Sequence, residues 1–167
     1  MNFIRRRFRG FCLFIINHFF KGTRFFSVKR NLLNICGIQV GSNTNIVAPF
    51  NVSNCSKIII GNNCWIGSGF TIYGDGKVEI GDNCDFGPDV ALITGSHEIG
   101  YDDRRAGKGV LFSIKIEDGC WFGARSSVVG NTIIKRMSVV GACSLVTKIV
   151  DENIVVAGTP AKVIKEL

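Results

Sequence analysis

An all-β chain wound as a parallel β-helix is predicted by two regularities of this 167-residue sequence. Apolar side chains recur every six residues at Val40, Ile46, Val52, Ile60, Ile66, Ile72, Ile80, Phe86 and Leu92. After one gap they resume at Ile116, Phe122, Val128, Ile134, Val140 and Val146. Four positions after most of them stands a small or compact residue (Thr44, Ser56, Cys64, Cys84, Cys120, Ser126, Thr132, Ser138, Ser144), and a glycine often follows directly. A strand alternates its side chains in and out, so positions one and five of a hexad both face inward once the chain turns a corner between them. Hexads repeated in this way are the signature of stacked coils.

In chain order the first element is an arm, residues 1–36, with helical character. Arg5, Arg6, Arg7, Arg9, Lys21, Arg24, Lys29 and Arg30 give it eight cations in a chain of net charge +7, and the first acidic residue is Asp75. Aromatic and aliphatic residues from Phe3 to Phe20 are interleaved with them. Cations beside rings describe a segment lying at an anionic membrane surface, and residues 1–30 are expected there. Packing of a helix on the first coil is the alternative. The apolar run from Phe11 to Phe20 is too short to span a bilayer, and no small-residue cleavage site follows it. No nucleic-acid-binding motif accompanies the cations, so no nucleic-acid partner is expected.

Residues 37–167 follow as the β-helix. Eighteen residues per coil define five coils, 40–57, 60–77, 80–97, 116–133 and 134–151, with two-residue inserts (Ile58 and Ile59, Val78 and Glu79) that stack Cys64 on Cys84. The glycines are expected where a Cβ would strain the backbone. The register breaks over 98–115, immediately after His97, and a tail occupies 152–167. A long excursion from a compact repeat is more often functional than accidental. Counting coils puts Lys77 below His97, and hence Asp75 near the same corner. Trp121 ends the first hexad of its coil and His97 the third. They therefore occupy different corners, and a site using both must join two subunits. The seven cysteines show no CxxC pair and read as reduced core thiols of a cytoplasmic protein.

The segments ITGSHEIGYDDRRAGKG, IEDGCWFGARSSVVGNTIIKRMSVVGACSLVTK and VVAGTPAKVIK resemble the hexapeptide-repeat acyltransferases of the galactoside and maltose O-acetyltransferase type. Bacterial capsule, O-antigen and exopolysaccharide O-acetyltransferases belong to that broad group. The resemblance implies a left-handed β-helix, a homotrimer, and acetyl-CoA as acyl donor with its thioester at a subunit interface. It makes His97 the catalytic base, a task suited to an imidazole. Trp121 would wall the acyl and acceptor pocket of the neighbouring chain, and the N–H of Ala124 would polarise the thioester carbonyl. Ala142, Thr147 and Lys148 match positions along the pantetheine and pyrophosphate path. Gly158 and Pro160 fall in a CoA-binding tail, where Lys162 and Lys165 would meet phosphates.

The acceptor side is less defined. Asp75 is expected within reach of an acceptor hydroxyl or the imidazole, Glu98 and Asp89 are weaker partners for the ring, and Arg104 and Arg105 in the excursion would contact an acidic or sugar acceptor. Simple-sugar members of the family carry an asparagine at the position counted as Gly67. With the basic arm, this departure points to a carbohydrate acceptor in a cell-surface glycan or its lipid-linked precursor, modified at the inner face of the cytoplasmic membrane. N-acetylation of a nucleotide-linked amino sugar is the alternative function. A carbonic anhydrase on this fold needs three histidines around zinc, and only His97 lies in the repeats, so no metal is expected. Serine acetyltransferases carry a large helical domain not seen here.

Overall fold

A computed structural model describes residues 3–53 and 57–167. Cys55, Ser56 and the first two residues of the arm lie outside the described residues, as do the side chains of residues 3–5. Three parallel sheets wrap one core. The first holds Gln39–Val40, Lys57–Ile60, Lys77–Ile80, Ser113–Ile116 and Thr132–Ile134. The second stacks Asn45–Ile46, Trp65–Ile66, Asp85–Phe86, Trp121–Phe122, Val139–Val140 and Ile154–Gly158, closed by antiparallel Ala161–Glu166. The third holds Phe50–Val52, Phe70–Tyr73, Ala91–Ile93, Ser127–Val129 and Leu145–Val146.

The hexad register is the observed register. Val40 pairs Ile60, Ile60 pairs Ile80, Ile80 pairs Ile116 and Ile116 pairs Ile134, and the other two apolar columns behave alike. The stack is one turn longer than the five coils expected. Val150 bridges Ile134, and Ile154–Gly158 of the expected tail joins the second sheet with Ile154 and Val156 buried. The spacing there contracts from eighteen residues to sixteen, which takes the last turn out of the hexad count.

Phenylalanines fill the axis. The rings of Phe50, Phe70, Phe86 and Phe122 follow one another at 5.8, 5.2 and 4.7 Å. The polar fifth positions are buried but bonded: the Thr44 hydroxyl donates to the Gly61 carbonyl at 2.6 Å and the Ser126 hydroxyl to Gly123 at 2.8 Å, so burial leaves no orphan group there. Cys64, Cys84 and Cys120 form a buried column, in which the Cys84 N–H donates to the Cys64 sulfur at 3.4 Å. Hydrogen bonding to the Cys120 and Cys64 sulfurs, with burial, pushes the Cys84 thiol far above its usual pKa.

The repeat glycines serve space rather than φ. A Cβ on Gly67 would lie 2.6 Å from the backbone of Gly87, and one on Gly87 would lie 2.7 Å from the N of Ala124. Most left-handed corners are held by Asn43, Asn63, Asn83, Asp89, Arg125, Met137, Cys143 and Asn153, with glycine taking that conformation in the same columns only at Gly69 and Gly119. Asparagine tolerates that conformation better than most residues.

The arm forms helices α1 (Phe3–Phe19) and α2 (Phe26–Ile35). Cys12, Ile16 and Leu33 join the core cluster of the first coil. Asn17 clamps the junction, its amide donating to the Phe50 carbonyl at 3.0 Å and accepting from the Phe50 N–H at 2.9 Å. Two of the eight cations expected at a surface are withdrawn from it. Arg9 is 4% exposed, and Lys29 is wholly buried with its ammonium 2.7 Å from the Gly22 carbonyl and 4.8 Å from the centre of the Phe26 ring. Burial lowers the pKa of Lys29. The arm therefore has a docked side and a free one. On the free side Phe8, Phe11, Phe14 and Phe19 are between 43% and 70% exposed, beside exposed Arg6 and Arg7.

Candidate active site

The excursion is a hairpin, Gly95–Ile99 against Ala106–Leu111, and so begins and ends before the 98–115 expected. Thr94 is the last residue inside the coil. Its hydroxyl donates to the Tyr73 carbonyl at 2.8 Å and accepts from the Gly76 N–H at 3.1 Å, and its own carbonyl accepts from the Phe112 N–H at 2.8 Å. The chain thus leaves and returns through one pinned point. Ser113, and not His97, stacks on Lys77.

His97 does not close a coil. It stands on the hairpin, exposed, its backbone paired with Gly109. Asp75 lies exposed at the hairpin base between Gly74, which abuts Gly95, and buried Gly76. Among the described residues no ion pair joins Asp75 to His97. Arg104 and Arg105 are at the hairpin tip, where Arg105 meets Asp102 at 2.6 Å in an exposed pair. Such a pair is weak and leaves the guanidinium available. Thr147 and Lys148, also exposed, follow the last strand of the third sheet and share this edge of the prism. Glu98 is on the hairpin, whereas Asp89 sits at another corner beside Arg125 at 3.7 Å.

Trp121 belongs to the second sheet, on its outer face, 57% exposed. Next to it the chain turns into the corner that carries Ala124 and, one coil on, Ala142. Gly123 and Gly141 bring these two backbones close, since a Cβ on Gly123 would come within 2.4 Å of the Ala142 N. Lys162 and Lys165 lie opposite Ala157 and Val155 on the antiparallel strand that closes the same sheet, with Gly158 and Pro160 at its turn. The candidate residues therefore fall into two groups. His97, Asp75, Arg104, Arg105, Thr147 and Lys148 share one edge. Trp121, Ala124, Ala142, Gly158, Pro160, Lys162 and Lys165 share the second sheet and its far corner.

The outer face of the first sheet holds a recess of about 400 Å³ lined by Glu79, Lys115, Glu117, Asp118 and Arg136 among others. It contains none of the candidate residues. Most of its charges are engaged: Lys115 lies 3.2 Å from Glu117 within it, while Glu79 meets Lys57 at 2.5 Å and Arg136 meets Glu152 at 2.9 Å at its margin. The Lys57 ammonium bonded to Glu79 holds that carboxyl below its usual range. A different recess, about 310 Å³, lies on the second sheet between Trp65 and Trp121. Trp65 was legible as a candidate because it stands at the same hexad position as Trp121, directly before the second-column residue.

Six-residue columns stacked in three parallel sheets define a hexapeptide-repeat protein. Galactoside O-acetyltransferase of Lactococcus lactis is 38% identical to this chain over 82 residues, 49% of the chain and 40% of that protein. The chain spans about two fifths of the length of the curated relatives it matches. Likeness of fold reaches further. A hexapeptide-repeat acetyltransferase from Vibrio cholerae, crystallised with acetyl-CoA, superposes on 98% of this chain and 87% of its own with a TM-score of 0.87 at 26% identity. A galactoside acetyltransferase in complex with coenzyme A covers 98% of this chain and 80% of its own, with a TM-score of 0.83 at 29% identity. No family model matches. Over part of its sequence and nearly all of its fold the chain is similar to hexapeptide-repeat acetyltransferases.

Proposed function

We propose that this chain transfers the acetyl group of acetyl-CoA to a sugar hydroxyl, with His97 as general base, in a trimer whose sites each take one edge from one copy and the second-sheet face from the next. The observation that carries this reading is the separation of exposed His97 and exposed Trp121 onto different parts of one prism. The hairpin supports it as well: Ile99, Tyr101 and Leu111 are 91%, 89% and 63% exposed, apolar surface that a neighbouring copy would cover. The outer face of the third sheet, with Thr71, Ala91 and Ser127 in one column, is flat enough for another prism to lie against.

The residues present fit an extended donor with amides and phosphates. Among the described residues the N–H groups of Ala124 and Ala142 are committed to no backbone partner, and lie one coil apart along a glycine-lined corner. Lys162 and Lys165 are exposed on the same face. When bound, acetyl-CoA supplies the activated thioester. His97 accepts the proton of the attacking hydroxyl as the new C–O bond forms and the C–S bond breaks, and then returns that proton to the departing sulfur. The Ala124 N–H donates to the carbonyl oxygen as it gains charge. The reading is tested by following release of coenzyme A with free sugars, nucleotide-linked amino sugars and isolated glycans. Turnover with glycans is expected, and turnover only with nucleotide-linked amino sugars would replace O-acetylation by N-acetylation.

Among the described residues no helix is long and apolar enough to cross a membrane. The free side of α1 supports contact with an anionic bilayer at the inner face of the cytoplasmic membrane, its phenylalanines in the interface and Arg6 and Arg7 at headgroups. Cutting off the arm is a poor test, because Ile16, Asn17 and Leu33 hold the first coil. Point changes separate the two roles. The intact protein is expected to co-sediment with phosphatidylglycerol vesicles, and R6E/R7E with Phe11→Ser to stay folded and remain in solution. Indifference of the intact protein to such vesicles removes the membrane from the proposal.

A further inference from the structure

The arm lies across the open end of the first coil. Along a parallel strand, successive residues offer N–H and C=O alternately to the two sides. Phe50 turns both groups away from the second coil, and Asn17 of α1 meets them at 2.9 and 3.0 Å. Val40 does the same on the first sheet, where the Asn34 side chain of α2 accepts its N–H at 2.9 Å and donates to its carbonyl at 3.0 Å. Two asparagines thus stand where a preceding coil would. Ile38, Ile46 and Phe50, interior residues of the first coil, are buried beneath them. Arg9, Cys12 and Ile16 of α1 are its buried positions, and at about 3.6 residues per turn Arg7, Phe11, Phe14 and His18 fall on the opposite side, all exposed. The free face of α1 therefore looks out along the prism axis. No acidic residue precedes Asp75, so this end is cationic throughout, whereas the far end mixes Lys162 and Lys165 with Asp151, Glu152 and Glu166.

We infer that the acceptor is a glycan borne on a membrane lipid, and that the coils between α1 and the hairpin are a ruler that selects the acetylated sugar by its distance from that lipid. The inference rests on the acetyl-transfer and membrane readings, and fails separately from them. In a trimer of prisms laid side by side, three arms share one end, so the prisms stand upright on the bilayer. The α1 layer is about 10 Å deep. The hairpin leaves the third strand of the third sheet, two spacings beyond Phe50–Val52, roughly 9–10 Å. With the apolar face of α1 sunk about 5–10 Å past the headgroup boundary, the hairpin root stands roughly 15 Å above the acyl chains. The donor residues lie on the other side: Ala124 and Ala142 are on the fourth and fifth coils, and Lys162 and Lys165 on the strand that closes the second sheet beyond the sixth. The acceptor is left the membrane-ward interval. One pyranose lengthens a glycan by about one strand spacing, so about the third sugar from the lipid reaches the hairpin. A tether too short to span gives an effective concentration near zero, and one longer than the span loses it only gradually. The selection therefore has a sharp edge on the lipid side and a soft one beyond.

The test uses the glycan that turns over in solution, cut to lengths of one to seven sugars, coupled to a dialkyl lipid and held in phosphatidylglycerol vesicles. Acetyl positions are mapped by tandem mass spectrometry. The full-length protein is expected to acetylate the third or fourth sugar in every chain long enough, and to turn over one- and two-sugar lipids at least about tenfold more slowly. Residues 58–77 form a twenty-residue coil in register with those on either side, so duplicating them adds one spacing below the hairpin. That chain is expected to move the acetyl group outward by one sugar. R6E/R7E with Phe11→Ser is expected to lose the positional preference while still acetylating the same glycan free in solution. Neutron reflectometry on a supported phosphatidylglycerol bilayer reads the geometry without turnover: the protein layer is expected to thicken by about one strand spacing, roughly 5 Å, in the duplicated chain. Acetylation independent of distance from the lipid, or a layer that does not thicken, overturns the ruler alone. No coenzyme A release with any glycan, free or lipid-borne, overturns the acetyl-transfer reading and the ruler with it.

Discussion

Replacing His97 by alanine is expected to leave assembly and coenzyme A affinity intact while lowering turnover by roughly two to four orders of magnitude, the range of a positioned general base. The structural cost is small because the His97 side chain is exposed on a hairpin held by backbone pairing, and the pinned point at the hairpin base is made by Thr94, Gly76 and Phe112. The loss therefore belongs in kcat rather than in stability. Steady-state rates of the purified variant with its melting temperature decide the matter. Unchanged turnover would take His97 out of the reaction.

A second large effect follows from the separation of the two groups of residues. His97→Ala chains and Trp121→Ala chains are each expected to be nearly inactive. Mixed and reassembled in equal amounts, they are expected to recover about a quarter of native activity, because in a closed ring of three about that fraction of interfaces joins an intact His97 from one copy to an intact Trp121 from the next. Recovery is checked against the proportion of mixed trimers measured by native mass spectrometry. Verified mixed trimers that stay inactive would mean that the two residues do not share a site across an interface.

The columns of the core were fully legible because a one-sided strand has a strict period of two and each corner repeats every six residues. That is why Ile60, Ile80, Ile116 and Ile134 could be stacked on paper as they are in space. The last turn was hidden by its shorter spacing, from Ile134 to Val150 and from Val140 to Val156. The place of His97 in the fold was not legible. A hexad count measures distance along the coil, and nothing in it reveals that the chain leaves after Thr94, so the exit was assigned three residues late. Trp65 and Asp85 stand in register with Trp121 across strands, a relation that spacing along the chain does not display by itself. For the arm, composition reported eight cations but not their depth. Lys29 and Arg9 are drawn inside because the helices close the first coil, and a carbonyl and an aromatic ring await the ammonium there.

The two ends of the prism differ from its middle in a way that bears on how long such an object can grow. Every internal coil offers its neighbour a ready row of backbone donors and acceptors, so a bare terminal coil would be a template for adding another molecule end to end. At one end α1 and α2 lie over the first coil and occupy it with Ile16, Leu33 and Asn17. At the other the chain reverses, and Ala161–Glu166 runs antiparallel with Lys162, Lys165 and Glu166 along its edge. A strand of reversed direction and mixed charge cannot continue a parallel stack. The arm and the tail thus act as stoppers against polymerisation into fibres.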